Sequence, residues 1–277
     1  MHPVLFELGP FTIYTYGVLA AAGVLIGLWY ARRPARRAGL DAHRVWDLGV
    51  YTVLAALVVA KIWLLFSDWK YYAANPGDVL SLATLESGGT FYGGVLGAVL
   101  AIAVYAYTHT LPVLPILDSF AAALPLSHAI GRLGCFAAGC CYGKPTTLPW
   151  GVRFTDQAAA RLAGTPLGTP LHPTQLYEAA AEFLNFLFLA WLGTRERFRG
   201  QTLGTYMILY GMERAAIEFF RGDPGRTLMF GGAVSLMQVV SVGLVVTGAI
   251  LWSGGLRRMG SSHSTSPAPA GAGPRAT

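Results

Sequence analysis

Seven apolar runs, each near the ~20 residues a helix needs to cross a bilayer, leave this chain few folds to choose from. They cover residues 11–30, 46–66, 91–107, 116–130, 176–192, 203–220 and 233–252. Only 12% of the 277 residues are charged, about half the share in a soluble domain. The pattern predicts an all-α integral membrane protein with about seven transmembrane helices. The net charge of +6 does not point to nucleic acid. Its basic residues sit in short clusters between apolar runs, and no basic, aromatic-interleaved soluble face is present.

Those clusters orient the bundle. Arg32, Arg33, Arg36, Arg37 and Arg44 follow the first run, Arg195, Arg197 and Arg199 the fifth, and Arg257 and Arg258 the seventh. With seven spans all three fall on one side, which the positive-inside rule makes the cytoplasm. The N-terminus is then outside and the C-terminus cytoplasmic. Residues 1–11 carry no Lys or Arg ahead of the first run, so it is expected to stay as an anchor rather than be cleaved. The loop after the second run, with Asp68, Asp78 and Glu86 against Lys70, suits the outer face. Residues 139–174 are rich in Gly, Pro and Thr and are expected to form a small periplasmic cap between helices four and five. Residues 1–258 read as one polytopic domain, and the Ser/Pro/Ala/Gly-rich residues 259–277 as a disordered cytoplasmic tail.

Within this frame the charged residues are the candidates for chemistry, because a charge at membrane depth costs about 2.5–3.5 kcal/mol on insertion scales. Arg132 stands in Gly131-Arg132-Leu133-Gly134-Cys135, followed by Cys140-Cys141-Tyr142-Gly143. Arginine beside approachable glycine backbone suits phosphate, and in a bilayer the abundant phosphate belongs to phospholipid headgroups. Arg214, Glu218 and Arg221 are spaced i, i+4, i+7 and are expected on one helix face, with Glu218 able to pair with either arginine. Gly88-Gly89-Thr90-Phe91-Tyr92-Gly93-Gly94 opens the third run, either as a close-packing motif or as an interrupted helix start. His172-Pro173-Thr174-Gln175-Leu176-Tyr177-Glu178 opens the fifth, with Thr174 the expected N-cap and Glu178 complementing the helix dipole. The spacing of Cys135, Cys140 and Cys141 lacks the Cys-x2-Cys knuckle of structural zinc. The favoured reading is small apolar residues in a tight region, with no metal; ligation of a metal together with His128 and a catalytic thiolate beside Arg132 are the alternatives.

Taken together, Tyr16-Gly17, Gly-Gly-Thr-Phe-Tyr-Gly-Gly, the Arg132 motif through Gly143, His-Pro-Thr-Gln-Leu-Tyr-Glu, and Arg214 with Glu218-Phe219-Phe220-Arg221 resemble the bacterial prolipoprotein diacylglyceryl transferases. The resemblance runs from about Tyr16 to the seventh run and excludes the tail. It implies an inner-membrane enzyme of lipoprotein biosynthesis. Such an enzyme moves the diacylglyceryl group of phosphatidylglycerol to the lipobox cysteine of a prolipoprotein signal peptide. It forms a thioether, releases glycerol 1-phosphate and uses no cofactor. It further implies that Arg132, Arg214, Glu218 and Tyr92 are catalytic. Arg132, Tyr16, Gly93, Gly94, Cys135, Gly143 and Arg221 would hold the substrates. This chain departs from the family pattern at Tyr92, Cys135 and Cys140, which stand in place of His, Asn and Glu. Two further readings stay open: an enzyme of the same fold with a changed lipid donor or acceptor, and a non-catalytic membrane protein that binds phospholipid or lipoprotein.

Overall fold

A computed structural model describes residues 2–9, 11–81, 84, 89–224 and 226–263. The helices fall where the apolar runs predict them, and they divide into two compact units. One unit holds residues 24–123; the other joins the first 23 residues to the segment from Leu124 onward.

The N-terminus is a feature that the all-α expectation lacks. Strands β1 (Val4–Leu8) and β2 (Phe11–Tyr14) pair antiparallel, with Val4 opposite Tyr14. Val, Phe, Thr, Ile and Tyr suit strands, and Gly9 turns the chain at φ 60°. Helix α1 (Thr15–Arg37) follows directly and carries Arg36 and Arg37 in its last turn, where cations complement the helix dipole.

In the unit of residues 24–123, α2 (Ala42–Ser67) is N-capped by Asp41, which accepts from the His43 amide at 2.8 Å. A short α3 (Trp69–Ala74) and α4 (Phe91–Thr108) come next, with Thr90 capping α4 through the Gly93 amide. Helices α2 and α4 lie together because glycines permit it. A Cβ on Gly93 would come within 2.8 Å of the Ala60 Cα, and one on Gly97 within 2.5 Å of the Ala55 carbonyl oxygen. The packing reading of the glycine motif therefore holds for this face. Gly88 and Glu86 lie outside the described residues.

The fourth apolar run is divided. It forms α5 (Val113–Ala121) and α6 (Leu124–Ala138), parted at Ala122 and Ala123. Pro125 accounts for the break, since it has no amide hydrogen to donate to the Ala121 carbonyl one turn back.

In the other unit, α6 is followed by an ordered excursion: β3 (Val152–Arg153), α7 (Gln157–Ala163) and β4 (Pro170–Leu171). Its own small core is Tyr142, Phe154 and Leu171, with Phe136 packed against it. Then come α8 (Thr174–Leu192), α9 (Gln201–Glu218), a hairpin of β5 (Leu228–Met229) and β6 (Val234–Ser235), and α10 (Leu236–His263). Helices α9 and α10 meet at glycines: a Cβ on Gly248 would lie 2.5 Å from the Gly204 carbonyl oxygen. Helix α10 extends past the expected end of the seventh run to His263; residues 264–277 of the expected tail lie outside the described residues.

Among the described residues, four helical stretches are long and apolar enough to cross a membrane: Thr15–Arg37, Ala42–Ser67, Val113–Ala138 and Leu236–Gly254. Helix α4 is shorter, and α8 and α9 carry buried polar residues that lower their hydropathy, among them Gln175, Glu178, Glu182, Arg214 and Glu218. Those residues are the reason to look at these helices for function.

Candidate functional site

Helix α6 carries His128 and Arg132 one turn apart, and α8 carries Glu178 and Glu182 one turn apart. The helices pack antiparallel, so the two pairs meet as a ladder. Arg132 Nη2 lies 2.7 Å from Glu178 Oε1, and His128 Nδ1 lies 2.7 Å from Glu182 Oε1. The rungs are joined, because Arg132 Nε donates to His128 Nε2 at 3.1 Å. Both carboxylates are almost wholly buried. Ionised groups persist at such depth only when paired, and here the Arg132 guanidinium has the Glu178 carboxylate across the helix interface. Glu178 is therefore an ion-pair partner rather than a dipole-complementing residue at a helix start. The N-cap position of α8 is Pro173, not Thr174. Thr174 sits one residue inside, and its hydroxyl donates to the Cys141 carbonyl at 2.7 Å.

Helix α9 supplies a second cation. Arg214 Nη1 lies 2.7 Å from Glu218 Oε2, one turn along the helix, and both side chains are buried. The other oxygen of Glu218 accepts from Arg226 Nε at 2.8 Å. The expected alternative partner, Arg221, goes elsewhere. α9 ends at Glu218, so Arg221 leaves the helix face and takes a two-pronged hold on Asp223, at 2.6 Å for each bond. Burial works against the Arg221 charge, but Asp223 outweighs it and holds the guanidinium pKa above its usual value. Arg221 is within electrostatic reach of Arg132 and Cys141. Tyr210 is within reach of both Arg132 and Arg214, and its ring lies 5.6 Å from that of His128. The three arginines thus belong to one polar region inside a largely apolar unit.

The glycines of the Arg132 motif are needed for close approach. A Cβ on Gly134 would lie 3.3 Å from the Tyr16 ring, so this glycine lets α1 meet α6. A Cβ on Gly143 would lie 2.5 Å from the His172 Cβ and 2.6 Å from its carbonyl oxygen. Gly143 instead donates its amide to that oxygen at 3.0 Å and bridges to Arg221. Beside it Tyr142 donates to the Gly164 carbonyl at 3.0 Å, and burial raises its phenol pKa.

After α6 the chain turns sharply, with Gly139 at φ 80° and Cys141, a non-glycine residue, at φ 58°. The turn gathers Cys135, Cys140 and Cys141 so that their sulfurs lie within 4.8 Å of one another. All three are free thiols. Arg132 Nη1 is 3.8 Å from Cys135 Sγ.

A model of the family described as Prolipoprotein diacylglyceryl transferase matches residues 3–253. The chain belongs to this family. It is 32% identical to the phosphatidylglycerol–prolipoprotein diacylglyceryl transferase of Clostridium tetani over 253 residues, covering 91% of this chain and 97% of that relative. The enzyme of the same name from Finegoldia magna is 33% identical, with 91% and 94% covered, and that from Geobacillus kaustophilus is 35% identical, with 90% of each covered.

For this diacylglyceryl transferase family member, the sequence-predicted residues separate into two groups. Tyr16, Arg132, Cys135, Gly143, Arg214, Glu218 and Arg221 all lie in the unit that holds α6, α8 and α9. Tyr92, Gly93 and Gly94 lie in the other, on α4, where Tyr92 is about half exposed and Gly93 packs against Ala60. Sequence reasoning weighed His128 only as a metal ligand and missed Glu182 and Arg226, and it missed the Asn185 side chain, which donates to Glu213 at 2.7 Å. It had a usable signal: two basic side chains one turn apart, His128 and Arg132, and two acidic ones one turn apart, Glu178 and Glu182, each share a face of a largely apolar helix and complement each other between helices. A cleft of about 650 Å³ opens beside this region, lined by Trp150, His172, Tyr177, Glu213, Ile217 and Phe220. It has the mixed apolar and aromatic lining of a site for a lipid-like ligand.

Proposed function

We propose that this protein is a phosphatidylglycerol–prolipoprotein diacylglyceryl transferase of the bacterial inner membrane. Family membership over residues 3–253 supports the reaction class. The observation that carries the assignment of the site is the pair of arginines, Arg132 largely enclosed and Arg214 buried, each held at 2.7 Å by a buried carboxylate. In this reading all seven apolar runs cross the bilayer, with the N-terminus outside, the C-terminus in the cytoplasm, and the β3–α7–β4 excursion as a periplasmic cap.

The acceptor is the thiol of a lipobox cysteine in a prolipoprotein signal peptide. Its sulfur attacks the glycerol carbon that bears the phosphate. The carbon–oxygen bond breaks, the electron pair leaves with the phosphate oxygen, the thiol proton passes to water, and glycerol 1-phosphate departs. Negative charge gathers on the leaving phosphate, so preorganised cations aimed at it lower the barrier. Arg132 and Arg214 take that role. Glu178 and Glu218 fix them in place, which limits reorganisation during the reaction. Arg221, Tyr16, Cys135 and Gly143 border the headgroup. The membrane concentrates both substrates in two dimensions, so positioning supplies much of the remaining effect.

The test is a turnover assay. Purified protein in detergent receives phosphatidylglycerol and a lipobox peptide with a free cysteine, and mass spectrometry looks for the diacylglyceryl adduct and glycerol phosphate. Adduct with wild type and none with Arg132→Ala or Arg214→Ala is the expected result. No adduct, beside an active relative assayed in parallel, would sink the proposal.

A further inference from the structure

We propose that Cys135, Cys140 and Cys141 form a three-thiolate zinc site whose open fourth position takes the acceptor thiol; the role of that thiol rests on the function proposed above. The motif lacks a knuckle spacing, but the chain supplies the convergence by another route. Cys135 points back from the last turn of α6, and the turn at Gly139 and Cys141 returns the other two sulfurs to it. All three lie within 4.8 Å of one another. Zinc–sulfur bonds of about 2.3 Å in tetrahedral geometry place sulfurs about 3.8 Å apart, so binding needs only a small contraction.

The surroundings are built to hold this shape. Gln175 Nε2 donates to the Cys140 carbonyl at 2.7 Å, and Thr174 Oγ1 donates to the Cys141 carbonyl at 2.7 Å. Both donors are 1% exposed. Cys141 at φ 58° is a strained position for a side chain with a Cβ. Small apolar residues in a tight region would need neither the strain nor the two buried tethers. A cation also borders the sulfurs: Arg132 Nη1 stands 3.8 Å from Cys135 Sγ. Thiolate ligands select thiophilic ions, and three protein ligands with one open position is the arrangement of catalytic zinc.

The acceptor's chemistry suits such a site. The acceptor is a thiol, and the thiolate is the nucleophile. A thiol that coordinates zinc loses its proton outright. The proton passes to water. The metal-bound sulfur then forms its bond to the glycerol carbon as the carbon–phosphate-oxygen bond breaks. The neutral thioether is a poorer ligand than the thiolate and leaves the metal.

The test uses the full chain in detergent, reduced, stripped with a chelator, and given zinc or cobalt. About one ion per chain is expected by elemental analysis. Cobalt should give sulfur-to-metal charge-transfer absorption and strong tetrahedral visible bands. Cys141→Ser should abolish these bands. Gln175→Ala, which keeps all three ligands, should weaken metal binding about 10–100-fold. Tryptophan fluorescence checks that each variant is folded. A lipobox cysteine peptide should shift the cobalt bands and a serine peptide should not. Folded, reduced wild type without cobalt bands, or equal binding by Cys141→Ser, would overturn the site; bands that ignore the cysteine peptide would overturn its fourth position. Transfer by fully stripped protein would overturn the zinc role and leave the proposed function standing. A metal site that binds the peptide thiol without any adduct would do the reverse.

Discussion

Replacing Glu178 by Gln tests whether the carboxylate ladder is what fixes Arg132. Arg132 Nη2 lies 2.7 Å from Glu178 Oε1, with side chains 14% and 2% exposed. The amide keeps the volume and an acceptor oxygen but removes the negative charge. Breaking a buried ion pair from one side costs about 3–5 kcal/mol. Two contacts favour the lower end. Arg132 still donates to His128 at 3.1 Å, and Glu182 stays 2.7 Å from the other nitrogen of that ring. A loss of about 3 kcal/mol corresponds to a melting temperature lower by about 6–12 °C, read by tryptophan fluorescence in detergent. Adding Arg132→Gln removes the stranded cation, and the double variant should regain much of the loss. Transfer by Glu178→Gln should fall about 100-fold, because a displacement of about 1 Å in a catalytic group costs that much. A single variant that melts on the order of one degree from wild type, or a double variant no more stable than the single, would refute the reasoning.

Three other outcomes follow from the geometry. Arg214→Lys keeps the charge but loses the guanidinium fork beside Glu218; kcat for transfer should fall about 10²–10³-fold, and an unchanged kcat would remove Arg214 from the phosphate site. Gly143→Ala forces a Cβ to 2.5 Å from the His172 Cβ, so thermal unfolding should show a loss of about 1–3 kcal/mol, whereas a neutral result would mean the loop can yield. Gly97→Val places atoms 2.5 Å from the Ala55 carbonyl and should part α2 from α4, which a cysteine crosslink between the two helices would report as lost.

The helices were legible because bilayer-length apolar runs have one cheap solution for their backbone groups, and Arg132, Arg214 and Glu218 stood out because charge is rare there. What stayed hidden depended on distance in sequence. Glu178 looked like a dipole-complementing residue at a helix start because its partner lies 46 positions away on another helix. Arg221 was placed on the α9 face because the i, i+7 count assumes a helix that stops three residues earlier. Glu218 then pairs with Arg226, a residue beyond the helix end that periodicity cannot rank. The second strand of the N-terminal hairpin was lost inside an apolar run, since a few strand residues before a helix resemble its first turns. The cysteines were judged on spacing, while their convergence comes from two left-handed backbone positions, one of them at a residue other than glycine.

Four backbone bonds join three separate excursions of the chain. Gly143 and His172 exchange amide bonds through the His172 and Lys144 carbonyls at 3.0 Å each, Lys144 donates to Phe220 at 2.8 Å, and Gly222 donates to Tyr142 at 3.1 Å. The loops leaving α6 and α9 and the loop entering α8 are therefore one clasp, and their amides should exchange with solvent as a single cooperative set. A lid hinged on any one loop would have to undo its neighbours. Entry from the side, through the cleft bordered by His172 and Phe220, leaves the clasp shut. A lipid already lying in the bilayer can then reach the arginines by sliding, with its tails never leaving hydrocarbon.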